Sequence, residues 1–444
     1  MSKKYFGTDG VRGTVGKDPM TADFAMRLAS AAAQVLVPAG GTVVIGKDTR
    51  LSGYMFESAL EAGFVAAGAD VLLIGPLPTP GIARLTQEFE ADLGVVISAS
   101  HNAYSDNGIK FFDRSGSKLT DEIEYEIEER LKDSAITLES QSLGKAKRID
   151  TARIRYEEFC ASTVKKGVDL SGLKVVFDGA NGAGYKVGPR TLTNLGAEVI
   201  PIGCSPNGKN INDACGSTKP DLLQLTVPVL RADVGVALDG DGDRLVMVDE
   251  DGKLIDGDQL LYVLATARQQ NGSLVGPVVG TVMSNLGLEK ALKAQNIDFR
   301  RANVGDRYVL EALRESGGVI GGETSGHMIV LDKTTTGDGL ICALQVLEIM
   351  KTSGKPLSEL VAGMSKFPQT MVNVRTEQRL DPDSSSEIQA AVTAAESELA
   401  ESGRIILRAS GTEPVIRVMV EGEDHDQVVS IANRLASVVA KSAA

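Results

Sequence analysis

The chain has no tryptophan, and aromatic residues make up only 4% of it. Set against 48 glycines, this shortage of large rings points to tight loops and close backbone approaches. Cysteine is scarce too: Cys160, Cys204, Cys215 and Cys342 lie far apart with no Cys-x-x-Cys pair, which excludes a zinc ribbon and a disulfide framework. No apolar run is long enough to span a bilayer, and the opening MSKKYFGTDG lacks the apolar stretch of a secretory signal, so a soluble, cytoplasmic protein with no membrane partner is expected. Positive charge is the last deficit. With 59 acidic and 46 basic residues the net charge is −13, which disfavours a nucleic-acid partner.

What is present is the balance of a folded protein, 43% hydrophobic and 24% charged. At roughly 150 residues per domain, the length suggests about three domains or four small ones. Thr21 can cap a helix whose apolar face is Phe24, Leu28, Ala31 and Val35, ending near Pro38. Strands at 42–45, 71–74 and 94–97 follow, the last running into Ser98-Ala99-Ser100-His101-Asn102. The same order recurs twice. Strands at 174–178, 198–202 and 234–238 lead into DGDGDR, and strands at 278–283, near 298–304 and at 318–320 lead into GETSGH. Alternating strands and helices predict α/β units with parallel or mixed sheets and ligand loops at strand carboxyl ends. After a linker near 366–371, strands at 371–375, 405–408 and 415–420, with helices over 383–401 and 426–439, predict a small separate α+β domain.

Four loops and the opening segment carry chemistry. Asp239, Asp241 and Asp243 alternate with glycine, so in an extended segment their carboxylates project to one side and offer hard oxygen ligands for magnesium. An EF-hand is disfavoured: Glu250 falls at position twelve, but Arg244 stands where glycine is needed, and a strand precedes the loop. Ser100 beside His101 is a nucleophile candidate, although a Ser-His neighbour pair alone also reads as a surface loop. Asp106-Asn107-Gly108 predicts a turn ahead of Lys110. Glu323, Ser325 and His327 can hydrogen-bond sugar hydroxyls, a loop that taken alone reads equally as a plain turn. Arg408, Ser410, Gly411, Thr412 and Arg417 are the ingredients of a phosphate cradle, and Arg12 can add a further charge. Gly41 with Gly46-Lys47 resembles a P-loop, but Asp48 replaces the Ser or Thr that would hold magnesium, and a predicted strand occupies the loop.

FGTDGVRG, SASHN, DGDGDR, GETSGH and RASGTEP, in this order, resemble the α-D-phosphohexomutase superfamily across nearly the whole chain. FGTDGVRG, LDKTTTGDG and RASGTEPVIRVMVEGED look most like its branch acting on glucosamine phosphates. The resemblance implies four domains around a central cleft: 1–153 with a phosphoserine loop, 154–255 with a metal loop, 256–368 with a sugar-binding loop, and 369–444 with a phosphate-binding loop. It implies that Ser100 is the phosphoserine and, with Asp239, Asp241 and Asp243, ligates one Mg²⁺ ion. It makes Arg12, His101, Lys110 and His327 the acid–base candidates, Lys110 first, with an amine pKa lowered by neighbouring cations. Arg244, Glu323, Ser325, Arg408, Ser410, Gly411, Thr412 and Arg417 would bind substrate.

The implied reaction interconverts glucosamine 6-phosphate and glucosamine 1-phosphate through glucosamine 1,6-bisphosphate, both intermediate and activator, and supplies UDP-N-acetylglucosamine and peptidoglycan synthesis. A homodimer is expected from the resemblance only. One departure stands out: the family usually has Pro after His-Asn, where this chain has Ala103, and Ser105 replaces a frequent aromatic. A less rigid loop is expected there. Rival readings are a relative acting on glucose or mannose phosphates, a sugar-phosphate-binding protein without turnover, and a simple phosphatase.

Overall fold

A computed structural model describes residues 3–7, 9–38, 40–376, 381–409 and 415–442. Three α/β modules with mixed sheets are followed by a small α+β unit. In the first module the sheet order is Phe6–Gly7, Gly10–Thr14, Asp106–Asp113, Leu93–Ile97, Thr42–Lys47, Asp70–Pro76, Ala146–Arg148. The β-branched run of Thr42–Lys47 lies parallel to strands on both sides, and Leu93–Ile97 is buried along its whole length, as expected of strands covered by helices on both faces. Thr21 caps the helix Ala22–Leu36 by accepting from the Phe24 amide. That helix and Gly53–Ala66 approach so closely that a Cβ on Gly63 would meet the Met26 carbonyl at 2.4 Å.

The expected turn at Asp106-Asn107-Gly108 is instead strand. Asp106–Asp113 pairs antiparallel with Leu93–Ile97 on one side and Gly10–Thr14 on the other. Local turn chemistry yields to pairing on both edges, and Gly108 serves close packing rather than a turn, since a Cβ there would lie 2.6 Å from the Ser98 carbonyl.

The second sheet runs Leu254–Ile255, Leu245–Val248, Val234–Leu238, Lys174–Asp178, Glu198–Ile202, and the third Phe299–Ala302, Val278–Thr281, Ile320–Gly322, Met328–Val330. All three modules repeat one device: a buried strand in parallel pairing turns back into an antiparallel partner. The connecting loops are SASHN, DGDGDR and ETSGH, so the recurrence read from sequence is a recurrence of topology.

The three modules form one compact unit, residues 1–283 and 297–362, and a second unit comprises 284–296 with 363–444. In the second, Val415–Gly422 is the centre of an antiparallel sheet between Gln369–Arg375 and Gly403–Ala409. Its helix starts at Ser386, capped by Ser385 rather than near Asp383, and with His425–Ser442 covers a core of Ile388, Leu399, Val418, Val420, Ile431 and Leu435. The helix Leu286–Ala294 belongs to this unit, its Leu286 amide donating to Glu421 Oε1 at 2.9 Å.

Candidate active site

Ser100 follows the end of Leu93–Ile97 with a left-handed φ of 50°. It is 2% exposed. Its Oγ donates to Asp239 Oδ2 at 2.6 Å and lies 3.3 Å from His101 Nδ1. Beneath it, the Ser100 amide donates to Ser98 Oγ at 3.0 Å, and Ser98 Oγ to Asp48 Oδ2 at 2.6 Å.

Asp239, Asp241 and Asp243 are buried, and each offers a carboxylate oxygen within 4.8 Å of the others. They converge by a turn, not by the alternation of an extended segment: the Gly242 amide returns to the Asp239 carbonyl, and Gly242 has φ 74°. The turn is forced because Leu245–Val248 must run back along Val234–Leu238. Burial, then the like charges of Asp243 and Asp241, push the Asp239 carboxyl well above its usual range. Asp241 Oδ1 and Asp243 Oδ1 are buried with no hydrogen-bond partner. Hard anionic oxygens, crowded and unpartnered, fit a magnesium ion, which would supply their missing counter-charge.

Cations surround the triad. Lys110 Nζ lies 2.8 Å from Asp241 Oδ2, 2.9 Å from Asp9 Oδ2 and 3.9 Å from Asp243 Oδ2. The expected lowering of its pKa is not found. Burial favours the neutral amine, but Asp241, Asp9 and Asp243 outweigh it and raise the pKa above the usual lysine range. Burial also opposes the charge on Asp241, yet Lys110 and the Thr79 hydroxyl hold that carboxyl low. Arg12 pairs with Asp9, and the Arg244 amide donates to Asp239 Oδ1 at 3.1 Å.

The two histidines diverge. Burial, then Arg244 and Arg12, push His101 down to about 4. Burial works in the same direction on His327, but Asp243, 3.7 Å from Nδ1, and Asp306, 3.5 Å from Nε2, carry it up to about 9. Near neutral pH one ring is uncharged and the other protonated.

The GETSGH loop is docked on the strand that returns from DGDGDR: the Leu245 amide donates to the Gly326 carbonyl, and Arg244 bridges His327 through the backbone. Glu323 is half-buried, Oε1 accepting from the Gly305 amide at 2.9 Å, and Ser325 is exposed. In the second unit, antiparallel register sets Arg408 directly opposite Arg417, both exposed, with Asn373 opposite Arg417 on the other side. Ser410, Gly411 and Thr412 lie outside the described residues.

Profiles of the phosphoglucomutase/phosphomannomutase α/β/α domains I, II and III match residues 3–136, 155–252 and 256–367, and that of the C-terminal domain matches 371–438. The phosphoglucosamine mutase of Alcanivorax borkumensis is 56% identical over the full length of both chains. The chain belongs to the phosphoglucomutase/phosphomannomutase family. The phosphoglucosamine mutase of Aeromonas hydrophila is 57% identical over 99% of each chain. Among solved structures, a phosphoglucomutase/phosphomannomutase family protein from Burkholderia thailandensis superposes with TM-score 0.81 at 24% identity, covering 100% of this chain and 99% of that one. The N-acetylphosphoglucosamine mutase of Aspergillus fumigatus, in complex with GlcNAc-6P and magnesium, gives 0.69 at 18%, covering 100% and 96%. At these identities the likeness to the solved structures is one of fold.

Several residues around this family member's site went unread in the sequence. Asp9, although inside FGTDGVRG, joins Arg12, Lys110 and Lys118. Lys118 bridges Asp9 and Asp306, and Thr79 Oγ1 donates to Asp241 Oδ2 at 2.7 Å. Asp48 enters the sequence reading only as the residue that breaks a P-loop, and Arg50 does not enter it. Their signal was available, because they too follow a buried strand end. No local pattern marks Thr79, Lys118 or Asp306.

Proposed function

We propose that the chain interconverts glucosamine 6-phosphate and glucosamine 1-phosphate, using phosphorylated Ser100 as donor and acceptor. The observation that carries this reading is the Ser100 hydroxyl 2.6 Å from a carboxylate of the crowded triad, in a chain about as long as phosphoglucosamine mutases with which it shares more than half its residues. Asp239, Asp241, Asp243 and the Ser100 phosphate would hold one magnesium ion. That ion would supply charge neutralisation on the transferring phosphoryl oxygens and weaken the hold of Asp241 on the Lys110 ammonium.

In the forward direction the bond from phosphorus to Ser100 Oγ breaks and one to sugar O1 forms. The O1 proton leaves and Ser100 Oγ gains one. The product, glucosamine 1,6-bisphosphate, reorients; the bond from phosphorus to O6 breaks as one to Ser100 Oγ forms, Oγ loses its proton, O6 gains one, and glucosamine 1-phosphate is released. Added bisphosphate would act as activator by phosphorylating Ser100. His101, uncharged near neutral pH, would exchange a proton with the serine oxygen, and His327, which retains its proton, would donate one. Lys110, Arg12 and Arg244 would offset charge on the phosphoryl group. Glu323 and Ser325 would take sugar hydroxyls. Arg408 and Arg417, with Ser410, Gly411 and Thr412, would take the phosphate that does not react.

The proposed domains are 1–153, 154–255 and 256–368, each built on the recurring strand–loop device, and 369–444, whose compact unit also takes in 284–296. A homodimer in the cytoplasm, without a nucleic-acid partner, completes the proposal. Among the described residues no helix is long and apolar enough to cross a membrane.

The test is phosphorus NMR of the protein with magnesium and glucosamine 6-phosphate, glucose 6-phosphate or mannose 6-phosphate, each with a trace of its 1,6-bisphosphate. Faster conversion of the amino sugar is expected. Preference for another sugar would overturn the substrate assignment and keep the chemistry. Release of inorganic phosphate without isomerisation would replace the mutase by a phosphatase.

A further inference from the structure

Arg50 is fully buried, 0% exposed, directly beneath the loop that carries Ser100. Its Nη2 donates to the carbonyls of Ser100 at 2.9 Å and Asn102 at 2.8 Å. Its Nη1 donates to the carbonyls of Asp106 at 3.0 Å and Ala103. Nε donates to Asp48 Oδ2 at 2.7 Å, and the Arg50 amide to Asp48 Oδ1 at 2.8 Å. All five guanidinium donors are therefore used, four on carbonyls of one loop and one on the carboxylate that also receives Ser98 Oγ. From the other side, Asn212 Nδ2 donates to the Ser100 and Asn102 carbonyls at 2.9 and 3.1 Å.

We infer that Arg50, oriented by Asp48, is the positioning residue that fixes the Ser100 loop, with Asn212 as its counterpart from the second module. The inference rests on the mutase reading above for its consequence in turnover. Ser100 has a left-handed φ of 50°, a conformation that a non-glycine residue keeps only where its surroundings over-determine it. Two independent donors on the Ser100 carbonyl set the orientation of the following peptide and so aim Oγ at Asp239. The same clamp explains how the loop is ordered although Ala103 stands in place of proline. The tip at Ala103, Tyr104 and Ser105 is exposed, while carbonyls on both sides of it are held from below by one rigid fork. A lysine would keep the positive charge against Asp48 but offers three donors from a point.

Arg50→Lys is compared with wild type by hydrogen exchange at loop amides, kcat, KM and melting temperature. The expected result is exchange at the Asn102 and Asp106 amides faster by about tenfold or more, with peptides from 415–442 unchanged. For glucosamine 6-phosphate, kcat should fall by about 10²-fold while KM stays within about threefold, because binding groups elsewhere are untouched. Should Arg50→Lys not fold, Asn212→Ala, which leaves no buried charge behind, should show the same pattern at smaller size. Loop exchange equal to wild type in the folded variants, or equal losses through KM alone, would overturn the inference. A wild-type protein that turns over no phosphohexose would overturn the mutase reading instead, and the exchange data would still decide the clamp.

Discussion

Around Ser100 the polar and charged groups are buried and paired, whereas the two arginines of the C-terminal sheet stand exposed and face each other. Ser98, Ser100, Asp48, Arg50, Lys110, Asp239 and Asp241 are each at most 2% exposed. Arg408 and Arg417 sit at directly opposed positions of an antiparallel pair, an arrangement of like charges that disfavours the pairing. The first region draws most of its partners from the chain itself, and only Asp241 Oδ1 and Asp243 Oδ1 among the triad's oxygens are buried without one. The second, on the proposed function, would be completed by an anion. Geometry for bond-making demands the first kind of construction, and the proposed capture of either end of a bisphosphate would suit the second.

Four substitutions can break or sharpen that contrast. Ser100→Ala should carry the largest effect, a loss in mutase turnover of at least about 10³-fold with the melting temperature nearly unchanged. Turnover within tenfold of wild type would remove the buried region from the chemistry. Asp241→Asn comes next. It removes a carboxylate shared by Lys110 and Thr79 and should weaken magnesium binding by about 10²-fold, read by calorimetric titration as well as by activity. Undiminished magnesium affinity would dismiss the triad as the metal site.

Arg417→Ala addresses the exposed region and should raise KM for glucosamine 6-phosphate by about tenfold to a hundredfold, with kcat within about threefold. Its unliganded melting temperature should hold or rise as the facing charge disappears. A fall in kcat at constant KM would erase the distinction between the regions. Asp338→Asn probes what burial costs. Asp338 is held up to about 6, by burial first and despite the bond from Tyr156. Because the folded protein binds this proton more tightly, its contribution is present at acid pH and lost as pH climbs from the ordinary carboxylate value to about 6. The variant lacks that loss. Relative to wild type it should gain about 2–3 kcal/mol between pH 4 and 7, measured by urea denaturation at both ends.

The loops were legible because each ends an apolar run and carries glycine among polar residues, and the Thr21 cap was legible because capping is local. Lys110 shows where local reading stops. Its preceding Asp-Asn-Gly is turn chemistry, yet two partner strands make it strand, and its pKa rises because Asp9 and Asp241 approach from positions 101 residues before and 131 residues after it. The opposite protonation of His101 and His327 likewise depends on neighbours brought by the fold. Arg50 is illegible for a different reason: four of its donors go to backbone carbonyls, which no residue type announces.

The chain enters the C-terminal unit twice, at 284–296 and again from 363. Asn285 exchanges hydrogen bonds with Phe367, and Leu286 donates to Glu421. During synthesis on the ribosome, the helix Leu286–Ala294 therefore emerges more than a hundred residues before its partner Glu421 exists. A stop between residues 296 and 363 would then leave this segment of the C-terminal unit made without the rest of that unit.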